Sequence, residues 1–204
     1  MPKMIALLLA LFLGLGEAGF AAAQSSPQTV VESTAQQMQQ ALRANRQVLQ
    51  ANPGKIYGLV HQIVLPHFDF EVMSQWVLGK YWRQATPEQR NQFTDEFRTL
   101  LVRSYAGALL EYADDRITYP SAPAPAADAQ EATVRSTVQV KSGDPINIDY
   151  HLRFRNGDWK VYDVAVSGVS LVINYRSTFA NQIRDGGMDA VIRDLRERNA
   201  KSTT

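Results

Sequence analysis

Cysteine is absent from this sequence, and histidine occurs only three times in 204 residues. The lack of thiols excludes structural disulfides, thiolate metal sites and a cysteine nucleophile. The three imidazoles, at His61, His67 and His151, do not resemble a histidine-rich metal site. The sequence therefore predicts neither a bound metal ion nor a cofactor.

An excess of one charge is also missing, since 21 Lys and Arg balance 20 Asp and Glu to a formal net charge of +1. Nucleic-acid-binding proteins normally carry a clustered basic excess, so this class is disfavoured. The glycine motifs of nucleotide-binding loops and the serine elbow of hydrolases are absent as well. What is plentiful is apolar side chains, at 45% of the residues, which is enough for one sizeable core.

The N-terminus has the features of an export signal. Lys3 precedes an apolar run from Met4 to Leu15, and Ala21-Ala22-Ala23 then offers the small residues that signal peptidase requires. The alternative is a membrane anchor, but the run is short for a bilayer span. We therefore expect a signal peptide over residues 1–23, export by the general secretory pathway and, in a Gram-negative bacterium, a periplasmic location.

Helical periodicity follows, from about residue 26 to 112. One pattern runs to the breaker Asn52-Pro53-Gly54, and a shorter one ends before Pro66. Asp69 is placed to cap a helix over 70–78 that Gly79 would end. Thr86-Pro87-Glu88-Gln89 is a capping-box signature for a long helix.

The apolar period then changes from 3.6 to 2 over about residues 116–166, which predicts a four-strand meander. A Pro/Ala-rich connection over 120–129 is expected between the first two strands. Two helical patterns, over about 170–199 and divided at Gly186-Gly187, close the chain. The fold class is therefore α+β with an antiparallel sheet covered by N-terminal and C-terminal helices.

The register of the last hairpin decides which side chains share its apolar face. A two-residue Asn156-Gly157 loop would pair Tyr150 with Asp163 and Leu152 with Val161. A three-residue loop with a bulge shifts the pairing and makes one face uniformly apolar, with Ile148, Tyr150, Leu152, Tyr162, Val164 and Val166. We favour the bulged register for that reason.

The other register opens an enzymatic alternative. Asp163 would then lie in an apolar pocket beside Tyr150, where its raised pKa would suit it to acid–base work on an apolar small molecule. A third possibility is a non-enzymatic adaptor with a solid core. The apolar pattern alone cannot distinguish a packed core from one that opens into a cavity.

Three stretches together resemble the MlaC family, also called the toluene-tolerance auxiliary family. They are HFDFEVMSQWVLGKYWR over 67–83, TPEQRNQFTDEFRTLLVRSY over 86–105 and DVAVSGVSLVINYRSTF over 163–179. The resemblance covers essentially the whole chain after the signal peptide, residues 24–204. It implies a curved, NTF2-like antiparallel sheet of about four strands that encloses an apolar cavity.

The resemblance also implies a function, that of a non-enzymatic periplasmic phospholipid carrier. Its expected partners are the MlaA–porin complex at the outer membrane and an inner-membrane ABC transporter with an MCE-domain ring. The predicted lipid-binding wall comprises Phe68, Met73, Trp76, Tyr105, Leu109, Ile148, Tyr150, Leu152, Phe154, Val164, Val166, Val169, Leu171 and Phe179. Asn174, Tyr175 and Arg176 are expected either to line the mouth of the cavity or to dock a partner.

Overall fold

The computed structural model describes residues 25–121, 123, 125–126, 128–141 and 143–201, so the predicted signal peptide lies outside the described residues. Helices and strands within these ranges are arranged as an α+β fold, as predicted. The helices are α1 (Pro27–Ala44), α2 (Arg46–Ala51), α3 (Ile56–Ile63), α4 (Phe70–Leu78), α5 (Lys80–Gln84), α6 (Pro87–Glu111) and α7 (Leu171–Lys201). The strands are β1 (Arg116–Thr118), β2 (Glu131–Gln139), β3 (Ile146–Arg155), β4 (Asp158–Val166) and β5 (Val169–Ser170).

Side-chain caps fix the helix starts where the sequence predicts them. The Asp69 carboxylate accepts a hydrogen bond from the Val72 amide at 3.0 Å, which begins α4. Thr86 and Gln89 exchange the two bonds of a capping box, at 3.0 and 3.1 Å, and begin α6. Each cap satisfies amide groups that the first helical turn leaves without partners.

Two details of the helical region differ from the prediction. The first apolar pattern is broken at Asn45, whose side-chain amide donates to the Ala41 carbonyl at 2.8 Å and so competes with the helical backbone bonds. The five residues of α5 are too few to show a period and were not predicted. The closing helices are confirmed, but they abut within α7 at Gly187, which has φ 81° and ψ 173°.

The sheet is an antiparallel meander in the order β1-β2-β3-β4-β5, with one strand more than predicted. The extra strand, β5, contains two residues and pairs Val166 with Val169. Such a short strand carries no alternation that a sequence pattern could reveal. The Ser167-Gly168 turn before it has positive φ at both residues, as a tight hairpin requires.

Both candidate registers of the β3–β4 hairpin are partly right. The loop is the two-residue Asn156-Gly157 turn, and Leu152 pairs with Val161. A bulge lies within β4, so that beyond it Tyr150 pairs with Val164 and Ile148 with Val166. The sequence analysis placed the bulge in the loop, which was wrong.

The bulge changes the position of Tyr162. It is the extra residue of β4 and was expected on the apolar face, but it contacts His151 and the helices on the opposite face. At the same point the Val161 carbonyl accepts a hydrogen bond from the Asp69 amide at 2.9 Å. The segment before α4 thus forms a parallel bridge, Phe68 to Val161, along the edge of β4.

Apolar side chains gather in three clusters. The helical core joins α4, α6 and α7 around Phe93, Phe97 and Phe179, and a second cluster joins α1, α2, α3 and α6. The sheet-face cluster is built on Leu152, with further members of β2, β3, β4 and α1. Its buried members are Val31, Val134, Leu152, Trp159 and Val161, and partly buried Phe68, Tyr119, Tyr150, Phe154 and Val164 pack against them.

Candidate functional site

One face of the sheet is almost entirely apolar. Directly paired residues of antiparallel strands project from the same face, so the register defines its members. These are Ala132, Val134, Ser136 and Val138 of β2, Ile146, Ile148, Tyr150, Leu152 and Phe154 of β3, Trp159, Val161, Val164 and Val166 of β4, and Val169 of β5. We call this surface the apolar face.

On β4 and β5 exposure increases along the apolar face, whereas Ser136 and Val138 of β2 are buried. Leu152 and Val161 are 0% and 3% exposed, and Tyr150 and Val164, the next pair along, are partly buried. Val166 is 37% exposed and Val169, beside it, is 60% exposed. The face therefore has a covered end and an open end, which we call the rim.

Helix α1 lies over the covered end. Val30 and Val31 belong to the sheet-face cluster, and α1 contacts β2. Ser26 caps this helix and thereby fixes where its first turn begins. Phe68 packs against both the sheet-face cluster and the helical core.

The structure brings part of the predicted lipid-binding wall together. Five of its residues lie in the sheet-face cluster: Phe68, Tyr150, Leu152, Phe154 and Val164. Three more, Ile148, Val166 and Val169, extend the same face to its rim. Leu171 is partly buried at the start of α7, directly after β5.

The remaining wall residues lie elsewhere. Met73 and Phe179 are buried in the helical core, where Phe179 meets Phe93 edge to face at 5.2 Å. Trp76 is on the side of the sheet opposite the apolar face, where it stacks on Tyr162 at 5.9 Å. Tyr105 and Leu109 are exposed on α6. Helical periodicity identifies inward-facing residues but not which of two neighbouring cores they enter.

The expected mouth residues, Asn174, Tyr175 and Arg176, have different environments. Tyr175 packs on Phe97 of the helical core, with ring centroids 5.3 Å apart. Burial raises the pKa of Tyr105 to about 12, with a further contribution from the neighbouring Tyr175 hydroxyl. Arg176 lies against Gly79, which has φ 54°, and Asn174 is exposed. Only Asn174 is thus free of a packing role.

Asp163 is a structural residue in this arrangement. Its carboxylate accepts hydrogen bonds from the Ser170 hydroxyl at 2.5 Å and from the Val172 amide at 3.1 Å, which ties β4 to the start of α7. It pairs with His151, on the face opposite that of Tyr150. The acid–base pair of the enzymatic alternative is therefore not assembled, because the bulge sends the two side chains to opposite faces.

Sequence reasoning missed several members of the apolar face. Trp159 and Val161 were overlooked because the favoured register assigned the other residues of β4 to this face. Val31 was recognised as helical, but no pattern indicates that α1 covers the sheet. Tyr119 and Ser136 follow the alternation of their strands, which was the only available signal for them.

Two open clefts lie outside the apolar face. One, of about 780 Å³, begins at Phe68 and is bordered by Arg155, whose guanidinium lies 3.3 Å from Asp69 and 3.4 Å from Glu71. The other, of about 730 Å³, is bordered by residues of α4, α5 and α6. Neither is bordered by Tyr150, Leu152 or Val164. An apolar cavity on this face remains a prediction.

Within the described ranges of the chain, no group of three His, Asp or Glu side chains is arranged to hold a metal ion. Among the helices of that portion, none combines the length and the apolar character needed to cross a bilayer.

Comparison with known proteins decides the family. The family model described as MlaC protein matches residues 32–197. This chain belongs to the MlaC family. It is 33% identical to the toluene tolerance protein ttg2D of Pseudomonas putida, over 82% of this chain and 77% of the relative. It is 27% identical to the intermembrane phospholipid transport system binding protein MlaC of Haemophilus influenzae, over 87% of this chain and 84% of that protein.

A solved structure shares the fold. It is the phospholipid-binding protein from Ralstonia solanacearum in complex with a phospholipid, 34% identical in sequence. The two superpose with a TM-score of 0.79 over 88% of this chain and 99% of the relative. The α+β fold of this MlaC-family chain is thereby matched across nearly the whole of an experimental structure.

Proposed function

We propose that this protein is a periplasmic phospholipid carrier that holds acyl chains against the apolar face of its sheet. The observation that carries the proposal is the Ralstonia solanacearum relative, which was solved with a phospholipid and has this fold at 34% sequence identity. The name of the Haemophilus influenzae relative, a binding protein of an intermembrane phospholipid transport system, points the same way.

The energetics of lipid transfer explain why such a carrier needs a large apolar surface. Burial of hydrocarbon is worth about 0.8 kcal/mol per CH₂ group, so a two-tailed lipid with roughly 30 such groups needs on the order of 20 kcal/mol to enter water. Spontaneous crossing of an aqueous gap is accordingly very slow. A carrier must match the bilayer to within a few kcal/mol so that it both accepts and releases its cargo.

The apolar face meets this requirement through contact area. The row from Leu152 through Tyr150 to Ile148 offers apolar contact along the strand direction, and β4 doubles it with Val161 and Val164. Tails bind such a surface without directional bonds, which agrees with the absence of a charged cluster on the face. Because the exposed rim at Val166 and Val169 continues this surface to solvent, we infer that tails enter there.

The partners follow from the proposed family role. The MlaA–porin complex would supply or receive lipid at the outer membrane, and an ABC transporter with an MCE-domain ring would do so at the inner membrane. The apolar rim must meet each partner so that tails pass between them without exposure to water. We infer a non-enzymatic role, in which the protein makes and breaks no covalent bond.

Native mass spectrometry of the purified protein tests lipid binding, and transfer between two vesicle populations tests carriage. We expect co-purified phospholipid and transfer that depends on protein concentration. Val169→Asp places a charge on the rim at a position that is 60% exposed, so it should slow transfer at least tenfold without unfolding the protein.

Val48→Asp is the matched control, because it makes the same change at a 52% exposed valine of α2. Its transfer rate should equal that of the unmodified protein. Equal rates in both variants would show that tails do not enter at the rim. A purified protein that neither retains lipid nor transfers it would contradict the carrier function itself.

A further inference from the structure

Two hydroxyl groups interrupt the apolar face. The Tyr119 and Ser136 side-chain oxygens are shielded from solvent, and neither has a hydrogen-bond partner within the described part of the chain. Thr118 pairs with Thr137, so Tyr119 follows at the level of Ser136 and on the same face. Ser136 is only 2% exposed. Two polar groups thus lie in an apolar environment, and the described part of the chain provides no hydrogen-bond partner for either.

The groups around these two hydroxyls do not supply the missing hydrogen-bond partners. Burial raises the pKa of Tyr119, with smaller contributions from Tyr150 and Glu32. The Glu32 carboxylate accepts a hydrogen bond from the Gln28 amide at 2.7 Å but none from the Tyr119 hydroxyl. Ser136 and the Tyr150 hydroxyl are neighbours, and this contact partly opposes the rise that burial causes in the pKa of Tyr150. The Ser136 oxygen nevertheless makes no hydrogen bond of regular geometry.

An unsatisfied buried hydroxyl costs free energy, which a ligand that supplies a hydrogen-bond acceptor would recover. The ligand must carry hydrogen-bond acceptors at a depth where the surroundings are otherwise apolar. In a glycerolipid the two ester carbonyl oxygens fit this description, because they stand between the charged headgroup and the tails. A phosphate would be a poor occupant, since it would lose its hydration without a cation to replace it.

We propose that Tyr119 and Ser136 form a polar subsite whose hydroxyls donate hydrogen bonds to the ester carbonyl oxygens of a bound glycerolipid. The subsite rests on the proposed phospholipid function and locates the glycerol backbone of the lipid on the apolar face. Ser136 lies in the same cross-strand row as Ile148 and Val166, so a lipid that enters at the rim reaches the two shielded oxygens once the side chains that cover them move.

The test compares two phosphatidylcholines with identical tails, one ester-linked and one ether-linked, in competition for the purified protein. The ether lipid lacks both carbonyl oxygens but keeps the apolar area and the headgroup. The unmodified protein should bind the ester lipid about tenfold more tightly, as expected for two hydrogen bonds. The double variant Tyr119→Phe, Ser136→Ala removes only the two oxygens and should bind both lipids equally.

Ser74→Ala is the control, because Ser74 is also fully buried without a partner for its hydroxyl but belongs to α4. It should retain the tenfold preference. In lipid-depleted protein, the double variant should unfold at the same temperature as the unmodified protein or higher, since it removes unsatisfied groups. A lower unfolding temperature would show that the hydroxyls have structural partners and would overturn the subsite.

The two proposals fail in different ways. Equal binding of ester and ether lipids by the unmodified protein would overturn the subsite and leave the carrier function intact. Persistence of the preference in the double variant would likewise overturn it. Failure to bind either lipid would overturn the carrier function, and the subsite with it.

Discussion

The helical core and the apolar face of the sheet are both apolar, but they are built differently. In the helical core, Phe93 and Phe97 are fully buried, and their rings contact Phe179 at 5.2 and 5.9 Å. On the apolar face, Leu152 reaches the same burial, but exposure rises to 60% at Val169.

This difference separates apolar surface that stabilises the fold from apolar surface that remains available for a ligand. A core that must only hold the chain together tends towards close packing. A surface that exchanges cargo cannot be filled permanently by its own side chains. We therefore propose that the helical core chiefly supplies stability and that the sheet chiefly binds lipid.

Large-to-small substitutions should give the largest difference in the free energy of unfolding between the helical core and the apolar face. Phe97→Ala should lower the free energy of unfolding by about 3–5 kcal/mol, because the ring is fully enclosed by other aromatic rings. Phe154→Ala, at a partly buried position of the apolar face, should lower it by less than half as much. Urea unfolding followed by circular dichroism measures both. Equal losses would show that the sheet is packed as tightly as the helices.

A second substitution tests the connection between the two regions. Asp163→Ala removes the acceptor for the Ser170 hydroxyl and the Val172 amide and should cost about 2–3 kcal/mol, since hydrogen bonds to a charged group are the stronger ones. Hydrogen exchange should then rise at the start of α7 and remain unchanged within α6. Ser170→Ala, which keeps the carboxylate, should have a smaller effect; a larger one would contradict the role given to Asp163.

A smaller effect is expected at the turn between α4 and α5. Gly79→Ala should cost about 1–2 kcal/mol, because φ of 54° is unfavourable for a residue with a Cβ atom. The new methyl group would also approach the Arg176 guanidinium, at 3.1 Å. If backbone strain dominates, the loss persists in an Arg176→Ala background. If the loss disappears in that background, the contact with the Arg176 side chain is the cause. Thermal unfolding of the unmodified protein, the two single variants and the double variant distinguishes these outcomes.

Elements that depend on neighbouring residues were predicted correctly from the sequence. Features that depend on contacts between distant segments were not. The caps at Asp69 and Thr86 depend on neighbouring residues, so α4 and α6 begin as predicted. The bulge at Tyr162 depends on how β4 meets both β3 and the segment before α4, which no local pattern records. Phe179, which was expected to contact lipid, lies in the helical core, which periodicity cannot distinguish from the apolar face. The family resemblance supplied the expected family and function, which local patterns could not. The family-model match confirms the family.

Photocrosslinking tests the central claim most directly. A phosphatidylcholine with a diazirine in one tail, loaded into the purified protein and irradiated, labels the residues that its tail contacts. Mass spectrometry should find the label on β3 and β4, around Ile148, Tyr150, Val164 and Val166, and not on the buried aromatic residues of α6. Labelling confined to the helical core, or a loaded protein that carries no label on the sheet, would contradict this account.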